Sequence, residues 1–294
     1  MKSTYSGPVF VVGFFRSGTS LLYSLLNQHP RIGLMYECDV WDFPDACADL
    51  RFEQNWLARQ EFYNRALSRH RLIFGGSLRG LEQVRTVDDL YRTFSASKGA
   101  ELWGEKSPQY CVRLRRLARR YPGATFLLLW RNPVDIFRSV AWAAQKDRYF
   151  ARPGMFTRFV YYQEQMILQA AWLSRAGHRV CHVQYDALVD HTESVCSDIC
   201  AFLGIDFDKQ MLDLTRADFS AVYQGRHHEH LRRATIQRQE YPEEVLPPVL
   251  MDKLARFGAR WDRLQRERLG FQKASGHFRE PGALSRMHYL GVGF

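Results

Sequence analysis

Between Pro122-Gly123 and Arg131-Asn132-Pro133 runs Ala124-Thr125-Phe126-Leu127-Leu128-Leu129-Trp130, almost wholly apolar and without alternation. A strand with one wet face alternates apolar and polar residues, whereas a strand covered by helices on both faces does not. The run therefore predicts a central strand of a parallel sheet. The neighbouring segments agree. Strand-like runs at 8–13, 32–35, 102–106 and 179–185 alternate with stretches of helical period at about 18–28, 133–145, 156–176 and 190–203. Tyr110, Leu114, Leu117 and Tyr121 share one face of a further helix, which Ser107-Pro108 can start and Pro122-Gly123 ends. Asp190-x-x-Glu193 reads as a capped helix start, with Gly204 as the C-cap of that helix. Such alternation specifies an α/β fold of three layers, a central parallel sheet flanked by helices. No repeat or linker interrupts it. The 294 residues read as a single domain, with a core at about 8–210 and a helical, basic region at about 211–294.

The first strand leads into Gly13-Phe14-Phe15-Arg16-Ser17-Gly18-Thr19-Ser20, a Gly-x4-Gly loop that opens a helix with Leu22, Leu25 and Leu26 on one face. Unpaired N–H groups and the helix dipole make such a start an anion cradle. Ser17, Thr19 and Ser20 add hydroxyls, and Arg16 adds a forked cation. A bare tight turn is the competing reading. A nucleotide-triphosphate loop carries Lys directly after its second Gly. Here Thr19 stands there, and strand 124–130 lacks the terminal Asp of a magnesium site. A kinase or other NTPase is thus the weaker alternative. Arg131 and, eight residues on, Ser139 could hold a second phosphate, or could be a helix-start Arg paired with a carboxylate and an exposed Ser.

Ligands bind open parallel sheets beyond the carboxyl ends of the strands. Arg16, Glu37, Lys106, Arg131 and Tyr185 all fall at such ends, and we expect them in one pocket. The net charge of +10 favours polyanionic partners, which keeps a non-catalytic polyanion binder in view as a third reading. No recognisable nucleic-acid module is present, and nucleic acid is not an expected partner. The six cysteines form no CxxC pair, so zinc and thioredoxin-like chemistry have no support. Cys196 and Cys200, one helical turn apart, are expected to pack rather than bond, in a reducing, cytoplasmic compartment. The apolar run before Arg16 is too short for a signal peptide or a membrane span. His227-His228-x-His230 lies in a basic, polar stretch and reads as a solvated loop rather than a metal site. The run Arg226 to Arg238 reads as a cover over a cofactor or as an acceptor-binding patch. Residues 50–92, rich in aromatics and Arg and helical in period over 50–70, read as the acceptor wall.

In these blocks the chain resembles the sulfotransferases that use 3′-phosphoadenosine 5′-phosphosulfate (PAPS). Gly13 to Leu21 is similar to their 5′-phosphosulfate loop, and Arg131-Asn132-Pro133 with Ser139 to their 3′-phosphate site. Glu105-Lys106-Ser107-Pro108-Gln109-Tyr110 resembles a Lys-containing segment of the carbohydrate and protein-tyrosine branches. Val183 to Val189 and Phe202 to Phe207 resemble two later blocks, in the family's order. The resemblance implies a P-loop-NTPase-like fold and metal-independent transfer of a sulfuryl group from PAPS to a hydroxyl or amine. It implies a small-molecule, glycan or lipid acceptor. It places Glu37 as general base, Arg16 and Lys106 on the leaving group, and Ser17, Gly18, Thr19 and Ser20 on the 5′-phosphate. Arg131 and Ser139 take the 3′-phosphate and Tyr185 contacts the adenine. Glu105 is the reserve base, with Lys106 as the neighbour that could neutralise it. The small-phenol branch usually has Lys at the position of Arg16 and a His base, which this chain does not match.

Overall fold

A computed structural model describes residues 7–39, 41, 86–217, 236–238, 241–242, 245–274, 277–279 and 288–290, those after 271 as backbone only. Cys47, the basic stretch 50–70 with most of the expected acceptor wall, the three histidines at 227–230 and most of 226–238 lie outside the described residues.

Six parallel strands form the sheet: β1 (Val9–Val12), β2 (Ile32–Tyr36), β3 (Leu102–Lys106), β4 (Thr125–Trp130), β5 (Arg179–Gln184) and β8 (His288–Leu290), in the order β2-β3-β1-β4-β5-β8. Two further strands, β6 (Gln272–Ala274) and β7 (His277–Arg279), make a separate antiparallel pair. The lack of alternation in β4 has the expected cause. Phe126, Leu128 and Trp130 enter one apolar cluster while Leu127 and Leu129 enter another on the opposite face. β1 divides in the same way, Phe10 and Val12 against Val9 and Val11. The three expected layers are present.

The layer on the Leu127 side holds α1 (Thr19–Leu26), α6 (Tyr185–Asp190) and α7 (Thr192–Leu203). The layer on the Phe126 side holds α2 (Val87–Ser97), α3 (Leu114–Arg120), α4 (Pro133–Ala144), α5 (Met155–Arg175) and α8 (Pro248–Leu269). α8 packs on α4 and α5, burying Leu254, Phe257, Trp261 and Leu269. Gly204 ends α7 in the left-handed conformation at φ 75°, as expected of a glycine C-cap. Cys38, Cys111, Cys181, Cys196 and Cys200 are buried free thiols, and Cys196 and Cys200 pack in the Leu127-side cluster as expected.

Three local expectations fail. Asp190 does not cap α7: His191 holds the N-cap position, without a side-chain cap bond, while the Asp190 carboxylate pairs with the Arg238 guanidinium. A remote cation outcompetes the local amide. Tyr185 opens α6 rather than ending β5, which stops at Gln184. Ser107-Pro108 starts a short 3-10 turn, Pro108–Val112, and α3 begins only at Leu114.

Candidate active site

The β1–α1 loop is shaped by close packing. Gly18 stands at the α1 N-cap with φ 103°, and a Cβ there would lie 2.4 Å from Cδ2 of Tyr185. A Cβ on Gly13 would meet Ser17 Oγ at 2.7 Å and the Leu129 carbonyl oxygen at 2.8 Å. Neither position admits a side chain. Arg16 takes a left-handed conformation, φ 68°, and Ser17 N–H closes the turn onto Phe14 O at 3.0 Å.

Two clusters flank this loop. On the β4 side Arg16 Nε donates to Ser139 Oγ at 3.0 Å, and Arg131 Nη1 donates to the carbonyl of Arg16 at 3.1 Å. The Arg131 guanidinium lies 4.0 Å from the centre of the Tyr185 ring, a cation–π contact. Ser139 is buried and shares a 2.7 Å hydrogen bond with the Tyr241 hydroxyl. The alternative of an exposed serine is thereby excluded. Asn132 caps α4 by accepting from Val134 N–H at 2.8 Å, which fixes the turn that delivers Arg131. Burial pushes the Tyr185 hydroxyl above its ordinary range, and the positive Arg131 draws it part of the way back.

On the β3 side Lys106 Nζ is ion-paired with Glu37 Oε1 and lies 3.9 Å from the centre of the Tyr36 ring. Its side chain is 1% exposed and that of Glu37 18%, so the carboxylate is the member of the pair that faces outward. Tyr36 in turn shares a 2.8 Å hydroxyl–hydroxyl hydrogen bond with Ser20 in the first turn of α1. Backbone geometry locks the pair, because Glu37 N–H donates to the Lys106 carbonyl at 2.8 Å.

The strand period corrects one expectation. Adjacent residues on a strand face opposite sides, so Lys106 turns toward Tyr36 while Glu105 turns into the Phe126-side layer against Tyr91 and Tyr110. Glu105 is fully buried and Lys106 pairs with Glu37, not with it. Glu105 cannot reach an acceptor, and the reserve base is withdrawn.

Among the described residues, ten buried side-chain polar atoms have no hydrogen-bond partner, and two of them lie at this loop: Ser17 Oγ, inside it, and Arg131 Nε, beside Tyr185. Buried donors without partners are uncommon and costly. One stands in each of the two expected phosphate sites. Tyr36, Tyr241 and Asp39 escaped the sequence reading. Tyr36 carried a signal, since it ends β2 immediately before Glu37; Tyr241 carried none, 102 residues from Ser139.

The sequence model of the sulfotransferase family matches residues 8–209, from before β1 to beyond α7. A putative protein-tyrosine sulfotransferase of Caenorhabditis briggsae is 23% identical over 238 residues, covering 75% of this chain and 77% of that protein. Among solved structures, the sulfotransferase domain of the Synechococcus PCC 7002 olefin synthase aligns with TM-score 0.51 and 17% identity, over 89% of this chain and 98% of that one. The sulfotransferase domain of the curacin biosynthetic pathway gives 0.51 and 16%, over 87% and 97%. Both likenesses concern the fold, which is the P-loop-NTPase-like one expected. The matched span contains each of Arg16, Glu37, Lys106, Arg131, Ser139 and Tyr185, and over it the chain belongs to the sulfotransferase family.

Proposed function

We propose that this sulfotransferase, acting as one domain, moves a sulfuryl group from PAPS to a hydroxyl or amine of a carbohydrate, lipid or natural product. The observation that carries the reading is the pair of orphaned donors, Ser17 Oγ and Arg131 Nε, in two anion sites joined by the Arg16–Ser139 hydrogen bond. A ligand with two separated phosphates satisfies both. Ser17, Gly18, Thr19 and Ser20 hold the 5′-phosphate at the positive end of α1. Arg131 and Ser139 hold the 3′-phosphate, and the Tyr185 ring, already carrying Arg131, borders the adenine. PAPS supplies the sulfuryl group and leaves as adenosine 3′,5′-bisphosphate once its S–O bond to the 5′-phosphate breaks.

The chain's own residues do the rest. An attacking hydroxyl must lose its proton, and a base in reach contributes about 10²–10⁴-fold. Glu37 is that base: its carboxylate is the outward member of a pair whose cation is buried. Arg16 and Lys106 stabilise the charge that grows on the departing phosphate. The Lys106–Glu37 pair serves both ends of the reaction. As the anionic ligand draws the Lys106 ammonium toward itself, the Glu37 carboxylate is released to accept the proton. The buried free thiols at five positions support a reducing, cytoplasmic setting.

The test combines radiolabelled PAPS with a panel of acceptors: a tyrosine peptide, an oligosaccharide, an amino sugar and a glycolipid. Glu37→Gln should lower turnover by about 10²–10⁴-fold while leaving the dissociation constant of adenosine 3′,5′-bisphosphate unchanged. Undiminished turnover removes Glu37 from the base role.

A further inference from the structure

Glu37 and Asp39 are non-glycine residues in the left-handed region, at φ 45° and φ 55°. Such backbone persists only where the surroundings hold it. What holds it is on the far face of β3. The Glu105 carboxyl group accepts from Asp39 N–H at 2.7 Å through Oε1, and its Oε2 is hydrogen-bonded with the Tyr110 and Tyr91 hydroxyls, the Tyr110 bond at 2.7 Å. The Tyr110 oxygen in its turn accepts from Trp41 N–H at 3.2 Å. Ser107, two residues along from Glu105, donates its hydroxyl to Asp39 Oδ1 at 2.5 Å. Three side chains from β3 and the turn after it thus grip the backbone N–H groups of Asp39 and Trp41 and the side chain of Asp39, just after Glu37 in the chain. All of Glu105, Tyr91 and Tyr110 is buried.

A carboxyl group buried to this degree is expensive unless its hydrogen bonds are needed. Packing alone does not call for one, since β3 offers Trp103 to the same layer. We infer that Glu105 is a positioning residue for Glu37: through Asp39 N–H directly and Trp41 N–H by way of Tyr110, it fixes the strained turn that holds the Glu37 carboxylate beside Lys106. Glu105 touches no reacting atom. The inference rests on Glu37 being the base, and it adds a third group, on the opposite face of the sheet, on which that base depends.

The experiment uses the full chain, with PAPS and the most active acceptor of the panel above, or slow sulfate release to water where none is active. The variants are Glu105→Gln, which keeps the shape and an oxygen for Asp39 N–H, Glu105→Ala, which keeps neither, and Tyr110→Phe, which removes one oxygen. Glu105→Ala should lose about 10²-fold in kcat and Tyr110→Phe about 10-fold, with KM for PAPS within about 3-fold of the parent; Glu105→Gln should retain most of kcat. Amide exchange at Asp39 and Trp41 should accelerate in Glu105→Ala and Tyr110→Phe and not in Glu105→Gln. On a Glu37→Gln background neither Glu105→Ala nor Tyr110→Phe should cost anything further, because residues that act as one unit are not additive. If Glu105→Ala is unfolded, Tyr110→Phe carries the same test. An unchanged kcat in folded Glu105→Ala or Tyr110→Phe overturns the positioning role, as does a full additional loss on the Glu37→Gln background. A Glu37→Gln variant with normal turnover instead overturns the base assignment, and no cleavage of PAPS by the parent overturns the donor assignment.

Discussion

The buried Glu105 carboxyl gives the fold a specific dependence on pH. Burial, and next to it the negative Asp39, raise its pKa from an ordinary 4.5 to about 8, and the hydrogen bonds from Tyr91, Tyr110 and Asp39 N–H offset only part of that rise. The unfolded chain releases this proton near 4.5, whereas the folded chain keeps it until about 8. Between those values the unfolded state binds fewer protons, so raising the pH favours unfolding. The contribution is fully present below about 4.5 and is lost as the pH climbs to about 8. The interval spans about 3.5 pH units, which at about 1.4 kcal/mol per unit comes to about 5 kcal/mol. That is a large part of the stability of an ordinary domain. Urea unfolding followed by circular dichroism at fixed pH values from 5 to 8, on the parent and on Glu105→Gln, isolates the effect. Glutamine cannot ionise, so its curve should lie flatter and the difference between the two proteins should swing in its favour as the pH rises. His182, which burial holds neutral with a pKa of about 3, adds a slope of the opposite sign below about 6.5, and the difference between the two proteins removes it. Parallel stability curves across pH 5–8 would refute the reasoning.

Two further substitutions probe the nucleotide side. Arg131→Ala removes the orphaned Nε and the cation over Tyr185, and should weaken adenosine 3′,5′-bisphosphate by about 10–100-fold in a calorimetric titration, the scale of a hydrogen bond to a charged group; an unaltered dissociation constant counts against the 3′-phosphate assignment. Gly18→Ala places a methyl group 2.4 Å from Tyr185 at a φ of 103°, and should weaken the same ligand at least about 10-fold through displacement of the ring and the loop together. Normal affinity in that variant means that the ring does not border the site.

Much of this arrangement was legible because the determinants are local. The apolar run of β4 declares its burial on both faces, and the glycines of the β1–α1 loop declare a turn in which a side chain has no room. The placing of Arg16, Glu37, Lys106, Arg131 and Tyr185 along the carboxyl edge followed from strand ends alone, and the structure sets them in two clusters on either side of one loop. What misled was competition from distant partners. Asp190 has the residue type and spacing of a cap, yet Arg238, 48 residues on, takes its carboxylate. Ser139 was ambiguous because Arg16 and Tyr241, the groups that bury it, are 123 and 102 residues away. The possible pairing of Glu105 with Lys106 is absent for a local reason: the period-two rule sends adjacent strand residues to opposite faces, and Lys106 pairs with Glu37.

Arg16 links the two proposed phosphate sites. In a nucleotide-triphosphate loop the cation follows the second glycine and serves the phosphate chain alone. Here the cation stands two residues before Gly18, in a left-handed conformation that turns its guanidinium toward α4 and its carbonyl toward Arg131. The same residue therefore donates to Ser139 and accepts from Arg131, and the Arg131 guanidinium reaches Tyr185, against which Gly18 is packed. The contacts close a ring that returns to the loop in which it began. Within such a ring the separation of the two proposed anion sites is set by covalent neighbours, Arg16 to Gly18, rather than by two independently mobile side chains. On the proposed assignment, a ligand with one phosphate engages half of the ring and a ligand phosphorylated at both ends engages the whole. Arg16→Ala should therefore narrow the affinity difference between adenosine 3′,5′-bisphosphate and adenosine 5′-phosphate in a calorimetric titration; an unchanged difference counts against the ring as the source of selectivity.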